Sequence, residues 1–345
     1  MNAKKIFDDL SPRTYEHPND RAALTMLKGL PGLDKLVAML INLTSGKSLR
    51  LLFLASAVKA GESQFPRVYR LHSEASQILG MEPPELFVTQ SPALNAGTYG
   101  VDAPFVMLNS AMISALNDEE LLAVLGHELA HIKSGHVLYK TLLWIITTIG
   151  INSLGAIGGI GAQAALVAVL AALREWDRKS ELTADRGGLL AVQNLDAAYS
   201  LLMKLAGGSD IGEMNINDFF VQADEYEKGG DLLDSVHKLL NLAQMTHPFP
   251  VIRLKELKMW VDAGKYSTIV SGDFERQSDT FEEPVRDIYE AAEAYREEFE
   301  RSEDPLAQSL KSFGKTVEKA AADAGKNVEN FLKTMFPGSG AGGGD

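Results

Sequence analysis

The chain has 345 residues, of which 46% are hydrophobic and 23% charged, so it is long enough for one large globular domain or two ordinary ones. Its formal net charge of -13 argues against a protein that follows nucleic-acid phosphates, because such a protein needs a basic face. The absence of cysteine excludes disulfides, cysteine nucleophiles and thiolate metal ligands, and it fits a reducing compartment.

The first part of the chain is predicted to be a helical N-terminal extension over residues 1–64. Its opening residues mix lysines with several acids and contain no apolar signal-sequence core, so we expect a protein that is not secreted. Residues 37–60 are largely apolar, but a Ser-Gly-Lys sequence and Arg50 interrupt them. Amphipathic helices are therefore expected there rather than a membrane span.

A short β-rich region follows this extension. Apolar positions over residues 68–79 recur at helical spacing, and a glycine followed by two prolines ends that helix. Strand-like runs then cover residues 85–89, 95–100 and 104–109. Because the connections are too short for crossover helices, the sequence predicts a small antiparallel sheet within a mostly helical α+β fold.

The next predicted helix carries the sequence HELAH. Asn117 is a suitable N-cap, and Glu120 occupies the capping-box position. His127 and His131 lie one turn apart on one face, where both imidazoles can bind a single cation. Glu128 lies about 100° around the helix from His127, so it can reach a water molecule on the metal without being a ligand. The alternative is that three surface residues fall in register by chance.

A third metal ligand is needed to choose between these interpretations. The metzincin pattern requires a histidine six residues after His131, whereas His136 follows at five, about 140° around a continuing helix. We therefore interpret His136 as a polar residue near a helix bend. Glu181, in the sequence RKSELTAD, is the candidate ligand, and Asp185 one turn later could hydrogen-bond the far nitrogen of a ligand histidine. Exposed helical acids are the competing interpretation.

Residues 141–173, between these motifs, contain no charged residue. The glycine cluster at 155–162 is the predicted turn, and a second long helix is predicted from about Ala164 through Asp185. Metal ligands on both sides exclude a single membrane crossing, and the two arms are short for a pair of crossings. We expect a helical hairpin that packs on the protein core or enters one leaflet partway.

Four ordered motifs together resemble peptidase family M48, the HtpX-like and CAAX-prenyl-protease-like zinc endopeptidases of the gluzincin type. They are LNAGTYG at 94–100, HELAH, the RxxExxAD pattern ending at Asp185, and HPFPVIR at 247–253. The resemblance covers roughly residues 65–260. It implies that His127, His131 and Glu181 bind one Zn2+, that Glu128 is general base and acid, and that Asp185 orients a ligand.

The same resemblance implies a substrate site. The strand with Asn95 and Ala96 would form the edge against which an extended polypeptide lies. His247 and Arg253 would either stabilise the tetrahedral oxyanion or hold the acidic site residues in place. For His247, a simple helix-flanking residue is the alternative.

The remaining predictions concern organisation and location. Residues 65–265 are predicted to form the zinc metallopeptidase domain, residues 266–336 an acidic and then lysine-bearing amphipathic tail, and residues 337–345 a flexible glycine-rich end. The lysine-edged helix at 305–336 either docks on the catalytic domain or contacts a membrane surface. HtpX-like members typically carry clear transmembrane helices, including N-terminal ones, and this chain departs from that pattern.

The sequence as a whole predicts a zinc metalloendopeptidase that cleaves unfolded or extended polypeptides in protein quality control. It is expected in the cytoplasm, or peripheral to the inner membrane through residues 141–173 and 305–336. No nucleic-acid partner is expected, and the oligomeric state stays open. Two alternatives are a non-proteolytic membrane-associated scaffold with a structural zinc, and a latent protease whose tail from residue 273 covers the cleft.

Overall fold

The structure, a computed structural model, describes residues 4–28, 33, 47–149, 151–228 and 249–279. Within these ranges the chain is mostly helical and contains one small sheet. The elements are α1 (Pro18–Lys28), α2 (Lys47–Ser56), β1 (Val58–Lys59), α3 (Pro66–Ile78), β2 (Glu85–Thr89), β3 (Ala96–Tyr99), β4 (Phe105–Asn109), α4 (Ser110–Ala115), α5 (Asp118–Lys133), α6 (Val137–Ile149), α7 (Ile151–Val192), α8 (Leu195–Gly207), α9 (Ile216–Lys228), α10 (Pro250–Asp262) and α11 (Lys265–Ser271).

The sheet has the strand order β1-β2-β4-β3 and is mixed. Strands β1 and β2, and strands β3 and β4, pair antiparallel, whereas β2 and β4 run parallel with Glu85 opposite Phe105. The prediction of an antiparallel sheet was therefore wrong at this central pair. It assumed that consecutive strands pair, but β3 lies outside β4 and supplies the return path that a crossover helix usually provides.

Helices α5 and α7 cross at the centre of the domain. The predicted capping box starts α5, since Asn117 Oδ1 accepts from the Glu120 N–H at 2.9 Å and Glu120 Oε2 accepts from the Asn117 N–H at 2.9 Å. A Cβ added to Gly187 would overlap the Cβ of Ala130 on the facing helix. Only glycine allows this approach, which brings the HELAH sequence against the acids of α7.

Helices α6 and α7 form the predicted hairpin, but the boundary between them differs from the prediction. Helix α6 ends at Ile149 and α7 begins at Ile151, so the glycine cluster at 155–162 lies within α7 and the expected start near Ala164 was wrong. Each glycine costs a helix only about 1 kcal/mol relative to alanine, so such a cluster does not force a turn. Within the described ranges, none of the helices combines the length and the apolar composition that a membrane span requires.

The N-terminal segment packs closely on the rest of the chain. Phe7, Leu10 and Tyr15 are fully buried in the main hydrophobic core. Helix α1 contributes to a second buried cluster with α6 and α7, whose members are Ala22, Ala23, Leu27, Leu33, Tyr139, Leu142, Ile146, Val169, Leu170, Leu173 and Trp176. The base of the hairpin therefore rests on α1. The predicted His247 and the helix at 305–336 lie outside the described residues.

Candidate metal centre

Three buried side chains from α5 and α7 converge on one point. One ligand atom each from His127, His131 and Glu181 lies within 4.8 Å of the others. His127 Nε2 is 3.3 Å from Glu181 Oε2, and His131 Nε2 is 3.2 Å from Glu181 Oε1. The carboxylate therefore spans both imidazoles, one at each oxygen.

This donor set suits a divalent cation. His131 Nε2 is fully buried and makes no hydrogen bond despite its closeness to Glu181 Oε1, as expected of an atom that keeps its lone pair for a metal. Two imidazole nitrogens and one carboxylate oxygen are ligands that zinc accepts, and three protein ligands leave a coordination position for water or substrate. The group can thus hold one metal ion.

A buried arginine and aspartate support His127. Asp185 Oδ1 lies 3.0 Å from His127 Nδ1, the ring nitrogen that faces away from Glu181. Arg253 of α10 donates to Asp185 through Nε at 2.7 Å and Nη2 at 2.5 Å, and its Nη1 lies 3.2 Å from Glu181 Oε2. The guanidinium fork therefore faces both carboxylates, with two hydrogen bonds to Asp185 and a close contact with Glu181.

Lys140 of α6 supports the other oxygen of the shared carboxylate. Its Nζ lies 2.7 Å from Glu181 Oε1 and 2.7 Å from Asp177 Oδ1. Burial lowers the pKa of Lys140, but these two carboxylates outweigh burial and raise the pKa overall. The amine is therefore a fixed positive charge beside the centre.

The two histidines differ in their electrostatic surroundings. Burial lowers the pKa of His127, but the charge of Glu181 and the hydrogen bond of Asp185 outweigh it and raise the pKa to about 9. Burial and the positive charge of Lys140 hold the pKa of His131 well below its usual range. Burial raises the pKa of Asp185, yet Arg253 lowers it overall, so Asp185 stays a carboxylate.

His131 has a buried partner that the sequence analysis missed. Helix α5 ends near Gly135, whose φ of 73° turns the chain and brings His136 back towards His131. The two Nδ1 atoms are 2.9 Å apart. On its other side, His136 Nε2 lies 3.0 Å from Asp20 Oδ2 of α1, at an angle unfavourable for a regular hydrogen bond.

Glu128, the predicted general base, is also buried. Thr98 of β3 donates to Glu128 Oε2 at 2.7 Å, and its Oγ1 lies 3.2 Å from the Glu128 carbonyl oxygen. Ala96, on the same strand, pairs with Leu108 of β4, and the Asn95 carbonyl oxygen accepts from the Asn109 N–H at 3.0 Å. Strand β3 is the terminal strand of the described sheet, so it links a sheet edge directly to Glu128.

The structure thus brings together most of the predicted site residues: His127, Glu128, His131, Glu181, Asp185 and Arg253. Ala96 is the first residue of the strand that contacts Glu128, and Asn95 directly precedes it. Sequence reasoning missed Thr98, Lys140 and Asp20, and it missed the contact of His136 with His131. A signal existed for His136, which follows the motif in HELAHIKSGH, and for Lys140, the last charged residue before the uncharged stretch. Asp20 had none.

Comparison with known proteins agrees with this geometry. The sequence model of peptidase family M48 matches residues 62–261, more than half of the chain. The chloroplastic "plastoglobule-localized metallopeptidase 48" of Arabidopsis thaliana is 32% identical over 271 residues, covering 77% of each chain. A "protease HtpX homolog" of Tropheryma whipplei is 25% identical, covering 45% of this chain and 62% of that protein. One from Bacteroides fragilis is 30% identical, covering 44% and 56%. No solved structure matches the chain.

Proposed function

Because the chain belongs to peptidase family M48 and is a metallopeptidase, we propose that it is a zinc-dependent endopeptidase with His127, His131 and Glu181 as the metal ligands. The supporting observation is the convergence of these three buried groups, with ligand atoms within 4.8 Å of one another. A bound zinc ion supplies a Lewis acid that lowers the pKa of water and polarises a peptide carbonyl.

Glu128 is the general base and acid of this proposal. It accepts the proton from the attacking water and then delivers it to the departing amine. The hydrogen bond from Thr98 fixes one carboxylate oxygen, so we assign proton transfer to the other. Asp185 orients His127 by accepting from its Nδ1, and Arg253 keeps Asp185 charged and in place.

The substrate is proposed to be an unfolded or extended polypeptide that pairs with the edge of β3. Edge pairing satisfies the backbone of a peptide whatever its side chains are, so it suits a protease of broad specificity. The register of β3 favours this, because Asn95 and Ala96 precede Thr98, which contacts Glu128. We propose a role in protein quality control, with residues 65–265 as the peptidase domain and contact with an inner-membrane surface as an accompanying hypothesis.

The first test is cleavage of a generic unfolded protein by the wild type and Glu128→Gln, with zinc content measured on the same samples. Glu128→Gln should keep its zinc and lose activity by a factor of about 10²–10⁴, the usual contribution of general acid–base catalysis. Glu119→Gln, a change on the same helix outside the site, serves as the matched control and should cut like the wild type.

Each other outcome contradicts part of the proposal. Equal cleavage by Glu128→Gln and the wild type would remove Glu128 from the mechanism. If the wild type and both variants hold zinc and none cleaves, the result favours the scaffold or the latent-protease alternative. In that case truncation at Asp273 is the next experiment, since release of a latent protease should raise activity.

A further inference from the structure

A buried polar chain lies behind His131 and has no part in the proposed reaction. It runs from His131 Nδ1 to His136 Nδ1 over 2.9 Å, and from His136 Nε2 to Asp20 Oδ2 over 3.0 Å. His136 and Asp20 are both 0% exposed. Burying polar groups costs unfolding free energy unless they are hydrogen-bonded, so their presence here suggests a role at the site.

The protons of this chain can be assigned from the ligand role of His131. If His131 offers the Nε2 lone pair to a metal, its proton is on Nδ1 and donates to His136 Nδ1. The proton of His136 is then on Nε2, directed towards the Asp20 carboxylate. This assignment gives the two Nδ1 atoms complementary donor and acceptor roles and directs the remaining His136 proton to Asp20 Oδ2, 3.0 Å away.

Asp20 is firmly fixed at the end of this chain. Thr183 Oγ1 donates to Asp20 Oδ2 at 2.6 Å, and Trp176 Nε1 donates to Asp20 Oδ1 at 3.1 Å. Burial raises the pKa of Asp20, but the contact with His136 and these two hydrogen bonds lower it overall, so Asp20 stays charged. The ring of Trp176 also packs edge-on against His136, with centroids 5.6 Å apart.

We propose that Asp20 and His136 are positioning residues for the metal ligand His131, so that the N-terminal segment completes the metal centre. The inference rests on the proposed metal-binding function. Asp20 lies on α1, outside residues 62–261 that match the family. Helix α1 is therefore a structural part of the site rather than an appended segment. A carboxylate that holds a ligand imidazole raises its basicity and fixes its orientation.

The test measures the zinc dissociation constant by competition with a chelator of known affinity, for the full chain and for Asp20→Asn, His136→Gln and the double variant. Each single variant should bind zinc about 10–100-fold more weakly than the wild type, the usual effect of losing such a partner. The double variant should bind little more weakly than either single one, because both act through the same chain.

Structural damage is separated from positioning by a matched control. His72 is another 0% exposed histidine, and its Nε2 contacts only the Pro84 carbonyl oxygen at 2.8 Å among the described residues. His72→Gln should lower stability to urea without zinc, as His136→Gln does, and leave the zinc dissociation constant unchanged. If Asp20→Asn does not fold, the zinc dissociation constant of His136→Gln tests the proposal on its own.

Two results would overturn the inference. One is wild-type zinc affinity in a folded His136→Gln or Asp20→Asn variant. The other is a loss of affinity in His72→Gln as large as that in His136→Gln, which would indicate general destabilisation. A wild type that binds no zinc at all would instead refute the proposed function, so the two failures are distinguishable.

Discussion

Each carboxylate oxygen of Glu181 contacts one histidine and one cation, but the two sets of residues come from different parts of the chain. Oε2 faces His127 and the cation of Arg253, whereas Oε1 faces His131 and the cation of Lys140. Each histidine also has an aspartate on the side of its ring that faces away from Glu181. Asp185 contacts His127 directly, and Asp20 reaches His131 through His136.

The difference lies in how the supporting groups are held. On the His127 side, Asp185 is one helical turn from Glu181, and the planar guanidinium of Arg253 contacts both carboxylates. On the His131 side, support passes through a second imidazole to α1 in the N-terminal segment. On the first side the aspartate comes from the same helix as Glu181, and only Arg253 comes from another helix, α10. On the second side the aspartate itself comes from a separate helix, α1, and acts through His136. Substitutions on the first side should therefore cost more unfolding free energy.

The largest effect is expected from Arg253→Met. This change leaves Asp185 buried without its cation, and breaking a buried pair in this way costs about 3–5 kcal/mol of unfolding free energy. Zinc affinity should fall about 10–100-fold because His127 loses its fixed partner. Urea unfolding without zinc and chelator competition measure the two effects. Arg253→Lys keeps the charge but not the planar fork, so it should restore only part of the unfolding free energy and part of the zinc affinity. Full restoration of both would show that the fork geometry is unimportant.

Lys140→Met should separate stability from metal affinity. It leaves Asp177 and Glu181 without their shared cation, so the unfolding free energy without zinc should fall by an amount near the lower end of the roughly 3–5 kcal/mol range. Zinc affinity should hold or rise, since a bound cation replaces the lost charge beside Glu181 and meets less repulsion.

The control for Lys140 is Lys204, another buried lysine, whose Nζ pairs with Glu120 Oε2 at 2.8 Å near the start of α5. Lys204→Met should destabilise the protein comparably and leave zinc binding unchanged. A drop in zinc affinity for Lys140→Met alone would mean that Lys140 holds Glu181 in its ligand position. Lys140 and Arg253 would then have the same positioning role towards Glu181, which the different predictions for their substitutions exclude.

The histidines and acids of the His127 side could be predicted from the sequence because their signals are local, whereas Arg253 came only from the resemblance to the family. His127 and His131 are one turn apart, as are Glu181 and Asp185, and helical periodicity alone places each pair on one face. Their meeting depends on the glycines of α5 and α7, which the sequence contains but does not assign to a helix contact.

The His131 side could not be predicted because it depends on tertiary packing. The sequence placed His136 near a helix bend, and the structure has such a bend at Gly135, but periodicity gave no sign that the turn directs the imidazole to His131. No periodicity relates Asp20 to the HELAH sequence, since α1 reaches the site only by docking on α7. The mixed sheet was mispredicted because the pairing order of its strands is not local, and the start of α7 was mispredicted because a glycine cluster costs a helix too little to force a turn.

The smallest effect is expected from Thr183→Val, at the outer end of the His131 side. Thr183 Oγ1 donates to Asp20 Oδ2 and accepts from the His17 N–H at 3.0 Å, so it joins Asp20 to the chain entering α1. Loss of a hydrogen bond to a charged group costs about 1.5–3 kcal/mol of unfolding free energy. Trp176 still holds Asp20 Oδ1, so zinc affinity should fall by less than about tenfold, the lower limit expected for losing Asp20 itself.

Thr141 provides an isosteric control for this substitution. It is 0% exposed, and its Oγ1 has no hydrogen-bond partner among the described residues, so Thr141→Val removes a buried hydroxyl without breaking a bond. Thr141→Val should be neutral or stabilising in urea, and its zinc affinity should equal that of the wild type. A loss of zinc affinity in Thr183→Val as large as that in Asp20→Asn would show that the hydroxyl controls the position of the carboxylate. Asp20 would then be held by one hydrogen bond, and the His131 side would be more fragile than its two donors indicate.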